Sequence, residues 1–113
     1  MVNSIDGTLA ALADPTRRFI VEQLRRGPRR AGDLAAASGL SAPAMSRHLR
    51  VLRQRGLIEG GGVDADARVR VYRLRPEPFS ALQRWLDEVQ RFWSGQLAAF
   101  KAHAERGRPG KRR

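Results

Sequence analysis

The twenty residues SAPAMSRHLRVLRQRGLIEG, from Ser41 to Gly60, constrain the fold more than any other stretch. Ser41 can cap a helix through its hydroxyl, and Pro43 stands in the first turn, where no backbone N–H is needed. The spacing predicts a helix from about Ala42 to Gln54, closed by Gly56. Met45, Leu49 and Leu52 recur at i, i+4 and i+7 and so face a core. Ser46, Arg50 and Arg53 have the same spacing on another side, with Arg47 and Gln54 beside them. Four arginines stand in the stretch before its first acid, Glu59. A surface helix made only for solubility would mix its charges, so this one is expected to face something negative.

The chain as a whole points the same way. Its 113 residues hold 22 basic and 11 acidic side chains, a net charge of +11. Arg106, Arg108, Lys111, Arg112 and Arg113 carry five of these charges at the C-terminal end, and the remaining body still carries an excess. Such an excess suits a polyanionic partner, a nucleic acid or an acidic membrane surface. Arginine greatly outnumbers lysine. Its forked guanidinium matches phosphate and guanine edges. The length allows one domain with a modest core, which a dimer interface could extend. Cysteine is absent, which excludes disulfides and thiolate metal sites. No apolar run approaches a membrane span, and the N-terminus lacks the charged start of a signal peptide. A cytoplasmic protein without membrane association is expected.

Ile5 to Ala13 is a short helix candidate with Ile5, Leu9, Leu12 and Ala13 on one side. Asp14 and Pro15 then start a helix to about Arg26, with Phe19, Ile20 and Leu24 as its inner stripe. Ala31 to Ala37 makes a third, small helix, and Ser38-Gly39-Leu40-Ser41 is a tight connector. Leu57 to Glu59 and Arg68 to Leu74 read as two strands of a hairpin with a Gly- and Asp-rich tip. Pro76 and Pro78 are expected to break the chain before a long helix from Phe79 to about Ala104. That helix carries the stripe Leu82, Trp85, Leu86, Val89, Phe92, Trp93, Leu97 and Phe100. Residues 105–113 read as a disordered basic tail beyond a single domain over residues 1–104.

Two short helices, a tight turn, a second helix and a β-hairpin make a winged helix-turn-helix, mainly α with a small β-hairpin. A helix fits the major groove of B-DNA and reaches base edges first near its N-terminus. That places Ala42, Pro43, Ser46 and Arg47 at the bases. Arg50 and Arg53 then fall at phosphates, with Ser41 at the helix start, and Arg29 and Arg30 as further backbone contacts. Arg68 and Arg70 belong to the wing, where they could grip the backbone or enter a minor groove.

ALADPTRRFIVEQL, LAAASGLSAPAMSRHLRVLRQRGLIEG and RVRVYRL together resemble the ArsR-type family of bacterial winged-helix repressors, from about Leu9 to Phe100. The run S-R-H-L-x-x-L-x-x-x-G-L-I, at Ser46 to Ile58, is the most specific part. The resemblance implies a homodimer on a palindromic operator in double-stranded DNA, clasped by the first and last helices. Leu9, Leu12, Leu82, Trp85, Leu86, Val89, Trp93, Leu97 and Phe100 are the interface candidates. Its DNA-contact pattern falls on Ala42, Pro43, Ser46 and Arg47. Many members carry Gln where this chain has Ala42, so one base contact is expected to be missing. Metal sensing is not expected. The positions of the family's cysteine pair hold Arg30 and Gly32, and for the family's other metal site the chain offers Asp87, Glu88, His103 and Glu105 without a His pair. No cofactor is expected, and a small-molecule effector is left open. Trp85, Phe92, Trp93 and Phe100 could instead line a small-molecule pocket, although aromatic anchors suit an interface better.

A different class of reading is a non-specific architectural DNA- or RNA-binding protein, which charge alone would support. Ser46 and Arg47 near the helix N-terminus argue against it, because a purely electrostatic binder needs neither. An enzyme is not expected. No cysteine nucleophile or paired acid/base set stands out, and Gly60 to Gly62 does not match a phosphate-binding motif.

Overall fold

The computed structural model describes residues 5–60 and 71–107. Asp14 sits in an extended conformation, and its carboxylate accepts the Arg17 backbone N–H at 3.0 Å. That cap, with Pro15 behind it, separates α1 (Ile5–Leu12) from α2 (Pro15–Arg25). α3 (Ala31–Ser38) and α4 (Ala42–Gln54) follow, joined by Gly39, Leu40 and Ser41. Both helices end in the same way. After α3, Leu40 N–H reaches the Ala35 carbonyl and Gly39 N–H the Ala36 carbonyl. After α4, Leu57 N–H reaches Leu52 and Gly56 N–H reaches Arg53. Gly39 and Gly56 have φ of 69° and 78°, the left-handed conformation that this closure requires.

The sheet is wider than the expected hairpin. β1 (Arg29–Arg30), β2 (Ile58–Gly60) and β3 (Val71–Leu74) form three antiparallel strands in the order β1-β3-β2. β1 pairs Arg29 with Tyr72 and Arg30 with Val71. A two-residue Arg-Arg strand has no apolar alternation, so nothing local announces it. The expected strand start at Arg68, with the wing residues Arg68 and Arg70, lies outside the described residues.

The described residues fall into two compact units, one ending at Ala81 and one beginning at Leu82. The core of the first is Ala11, Ile20, Leu24, Leu34, Ala35, Met45, Leu49, Leu52, Leu57, Ile58 and Tyr72. α1 buries Thr8 and Ala11, whereas Leu9, an interface candidate, is 43% exposed and Leu12 only partly packed on the core. One expectation about the core needs correction. α2 buries Ile20 and Leu24 but leaves Phe19 at the surface, beside Pro15, Thr16, Ala37 and Ser38. In each helix the core selects an arc that the largest apolar residues only partly occupy.

The prolines do not break the chain. α5 runs from Pro76 to Arg106, so Pro76 and Pro78 lie in its first turn. A first turn has N–H groups without helical partners, and proline lacks only that group. Glu105 and Arg106, read as tail, are the last turn of this helix. The second unit consists of α5 from Leu82 onward. Its apolar stripe covers a roughly 140° arc at 100° per residue. Trp85, Leu86, Phe92, Trp93, Leu97 and Phe100 are all exposed on the single chain. Phe92 and Trp93 meet edge to face at 6.3 Å.

Candidate nucleic-acid interface

α4 has two faces of opposite chemistry. Met45, Leu49 and Leu52 are buried and pin the helix to the core. Ala42, Pro43, Ser46, Arg47, Arg50, Arg53 and Gln54 are all exposed. At 100° per residue they span an arc of roughly 140° on the other side. The four residues assigned to base contact therefore share the N-terminal half of one exposed face. Arg50 and Arg53 continue that face toward the C-terminal end. The Ser41 side chain accepts the Ala44 backbone N–H at 3.3 Å. Its hydroxyl proton stays free to donate elsewhere, so capping and a phosphate contact are compatible.

Ser46, Leu49, Arg50, Arg53, Gln54 and Tyr72 border a cleft of about 490 Å³ between α4 and β3. Two guanidinium groups, a hydroxyl and an amide on one cleft make a surface suited to an anionic backbone. Arg29 and Arg30 stand on β1, the strand paired to β3 on the side away from β2. Arg29 is half-buried and Arg30 exposed. Arg30 also precedes α3 in an extended conformation, without a side-chain cap. Arg25, in the last turn of α2, is instead paired with Glu22 at 3.1 Å.

His48 sits beside the exposed face without belonging to it. Its Nδ1 lies 3.9 Å from the Asp14 carboxylate and 3.5 Å from Arg17 Nη1. The Arg17 backbone N–H holds the Asp14 carboxyl below its ordinary pKa, against partial desolvation, and the charge of Arg17, with that of His48 when its imidazole is protonated, adds to the lowering. Sequence reasoning missed Arg17 and Arg18. The carbonyls they reach, Ala10 to Leu12, lie six or seven residues upstream, on the far side of a turn. His103 is exposed on α5. Among the described residues, no three His, Cys, Asp or Glu groups converge as a metal site would require. No described helix is long and apolar enough to cross a membrane.

Residues 14–59 match the family model of bacterial regulatory proteins of the arsR family. The HTH-type transcriptional regulator Rv2034 of Mycobacterium tuberculosis is 43% identical over 86% of this chain and 85% of its own length. The transcriptional repressor SdpR of Bacillus subtilis is 39% identical over 48% of this chain and 60% of its own. An ArsR-like transcriptional regulator from Rhodococcus sp. RHA1 superposes with a TM-score of 0.75 at 32% identity, covering 89% of this chain and 90% of that one. The homodimeric winged helix-turn-helix DNA-binding domain of Mb0332 from Mycobacterium bovis gives 0.56 at 26% identity, covering 82% and 81%. These relatives are regulators, which removes the enzyme reading. A helix-turn-helix with one arginine-rich exposed face, on this fold and with these relatives, makes the chain a member of the ArsR family of DNA-binding transcriptional regulators.

Proposed function

We propose that the protein is a homodimeric repressor that occludes a promoter at a palindromic operator. The observation that carries this reading is the exposed arc of α4, with Ser46 and Arg47 near its N-terminal end. In this scheme Ala42, Pro43, Ser46 and Arg47 meet base edges. Ser41, Arg50, Arg53, Arg29 and Arg30 hold phosphates, and Arg68 and Arg70 of the wing add minor-groove or backbone contacts. Ala42 offers only a methyl group, so discrimination leans on Arg47 and on DNA shape.

The exposed stripe of α5 supports self-association. Several large apolar side chains on one helix face, unpaired in the single chain, call for a partner. A two-fold dimer would present two copies of α4 to successive major grooves, roughly 34–36 Å apart. Leu9 is a further candidate, while Leu12 is already partly packed inside its own unit. The homodimeric Mb0332 domain and the repressor SdpR lend support from relatives. The protein would act in the cytoplasm, on double-stranded DNA.

The net charge of +11 favours a second reading, a coat that binds any nucleic acid. Fluorescence anisotropy separates the two. DNA from upstream of the protein's own gene should bind at least about a thousand times tighter than scrambled DNA at physiological salt. Equal affinity for both would favour the coat. Exclusion of RNA polymerase from the same fragment tests repression itself.

A further inference from the structure

Arg17 reaches from the first turn of α2 to two other helices. Its Nε donates to the Ala11 carbonyl at 2.8 Å, and Nη2 donates to the Ala10 carbonyl at 3.4 Å. Both acceptors are carbonyls of the last turn of α1, where helical partners run out; that of Ala10 also accepts the Ala13 backbone N–H at 3.3 Å. The third nitrogen, Nη1, lies 3.5 Å from Nδ1 of His48 on α4, which accepts from it in the neutral tautomer that carries its proton on Nε2. Arg18 takes the next α1 carbonyl, that of Leu12, at 2.7 Å. Asp14 completes the junction by capping α2 through the Arg17 backbone N–H while facing the same imidazole. The Arg55 side chain, just past the end of α4, also passes over α1 at Gly7, where an added Cβ would meet it at 3.4 Å, an ordinary contact distance.

This geometry sets more than stability. His48 is the neighbour of Arg47 and lies off the exposed arc, so a contact there resists rotation of α4 about its own axis. Rotation is the motion that would swing Arg47 and Ser46 away from base edges without unseating the helix. The planar guanidinium suits the task because its donors are held in a fixed fork. A lysine ammonium offers one nitrogen and cannot span Ala10, Ala11 and His48 together.

We propose that Arg17 is a positioning residue for base readout: it fixes the rotational setting of α4 through His48 and ties that setting to α1. The inference rests on the reading of α4 as the base-contacting helix. Arg17 itself meets no DNA.

The test compares Arg17→Lys, His48→Ala and His48→Asn with the native protein. Each is titrated with upstream and scrambled DNA, and its melting temperature is recorded. Arg17→Lys keeps the charge and loses the fork. His48→Ala removes the imidazole acceptor, whereas the Asn side-chain oxygen can stand where Nδ1 stood. Arg17→Lys and His48→Ala should lower the preference for upstream DNA about tenfold or more. Affinity for scrambled DNA should stay within about twofold, with its salt slope unchanged. His48→Asn should recover most of the preference. A structural role alone would lower the melting temperature and weaken both DNAs in proportion, and that result overturns the inference. Unchanged preference in Arg17→Lys and His48→Ala overturns it too. If Arg17→Lys does not fold, the two His48 variants decide. Should the native protein itself not distinguish the two DNAs, the base-readout reading fails, and the inference with it.

Discussion

Arg47 leaves α4 near its N-terminal half and is exposed, whereas Arg17 places its guanidinium on Ala10, Ala11 and His48. The two side chains are identical, and the difference lies in what each can reach. Truncating Arg47 should therefore cost about 1–3 kcal/mol of discrimination against the wrong base and little on scrambled DNA. Truncating Arg53 should weaken both DNAs alike and reduce the salt slope by about 1. Anisotropy at several salt concentrations separates the two patterns. Asp14 makes a prediction about pH. Its carboxyl is held below the ordinary value of 3.8, so the charged form is favoured in the folded chain. That contribution is complete above 3.8 and is lost as pH falls through the lower, folded value. Asp14→Ala should lower the melting temperature by a few degrees at neutral pH, and the gap should close on acidification below 3.8. A gap that persisted in acid would mean the carboxylate contributes through packing alone. Arg47 was legible in the sequence because its neighbours show the helix face. Arg17 was not, because its partners are defined by a turn and by a helix thirty-one residues away.

Elements were legible where their ends carry chemistry. Ser41, Pro43 and Gly56 mark both ends of α4, and its observed bounds coincide with the expected ones. α5 shifted for the same reason in reverse. Prolines at 76 and 78 look like breakers, yet a first turn accepts them. β1 was invisible because its two arginines carry no alternation and pair only through the backbone of Tyr72 and Val71. Gly60 shows how narrow the tolerance is at the root of the wing. Its φ is 114°, and an added Cβ would collide with the Val71 carbonyl oxygen. Gly60→Ala should destabilise the fold by about 2 kcal/mol or more through strain and displaced backbone. Denaturant melts measure the loss. An unchanged midpoint would show that β2 and β3 can separate there at little cost. If the wing arginines bind DNA, Gly60→Ala should also lower affinity under conditions where the variant remains folded.

The whole molecule poses a problem that the single chain does not solve. α5 exposes Trp85, Leu86, Phe92, Trp93, Leu97 and Phe100. Burying a side chain of this size is worth about 1.5–3 kcal/mol, so an unpaired stripe carries a large incentive to associate. The sequence revealed the stripe but not its covering, because periodicity identifies an apolar face without naming what lies against it. A pocket for a small molecule and a partner chain would produce the same pattern. A charge placed on the stripe distinguishes them. Leu97→Glu should convert a dimer to a monomer in sedimentation at micromolar concentration, since the interface would have to bury an unpaired carboxylate from each copy. The monomer should keep the helical signal of the winged unit, whose core lies in residues up to Ala81. Its affinity for a palindromic site should fall to that of one half-site, while scrambled DNA, bound mainly through charge, should be affected far less. If Leu97→Glu sediments as the native chain does, α5 does not form the interface. Its aromatic face would then need another occupant, and each α4 would read DNA alone.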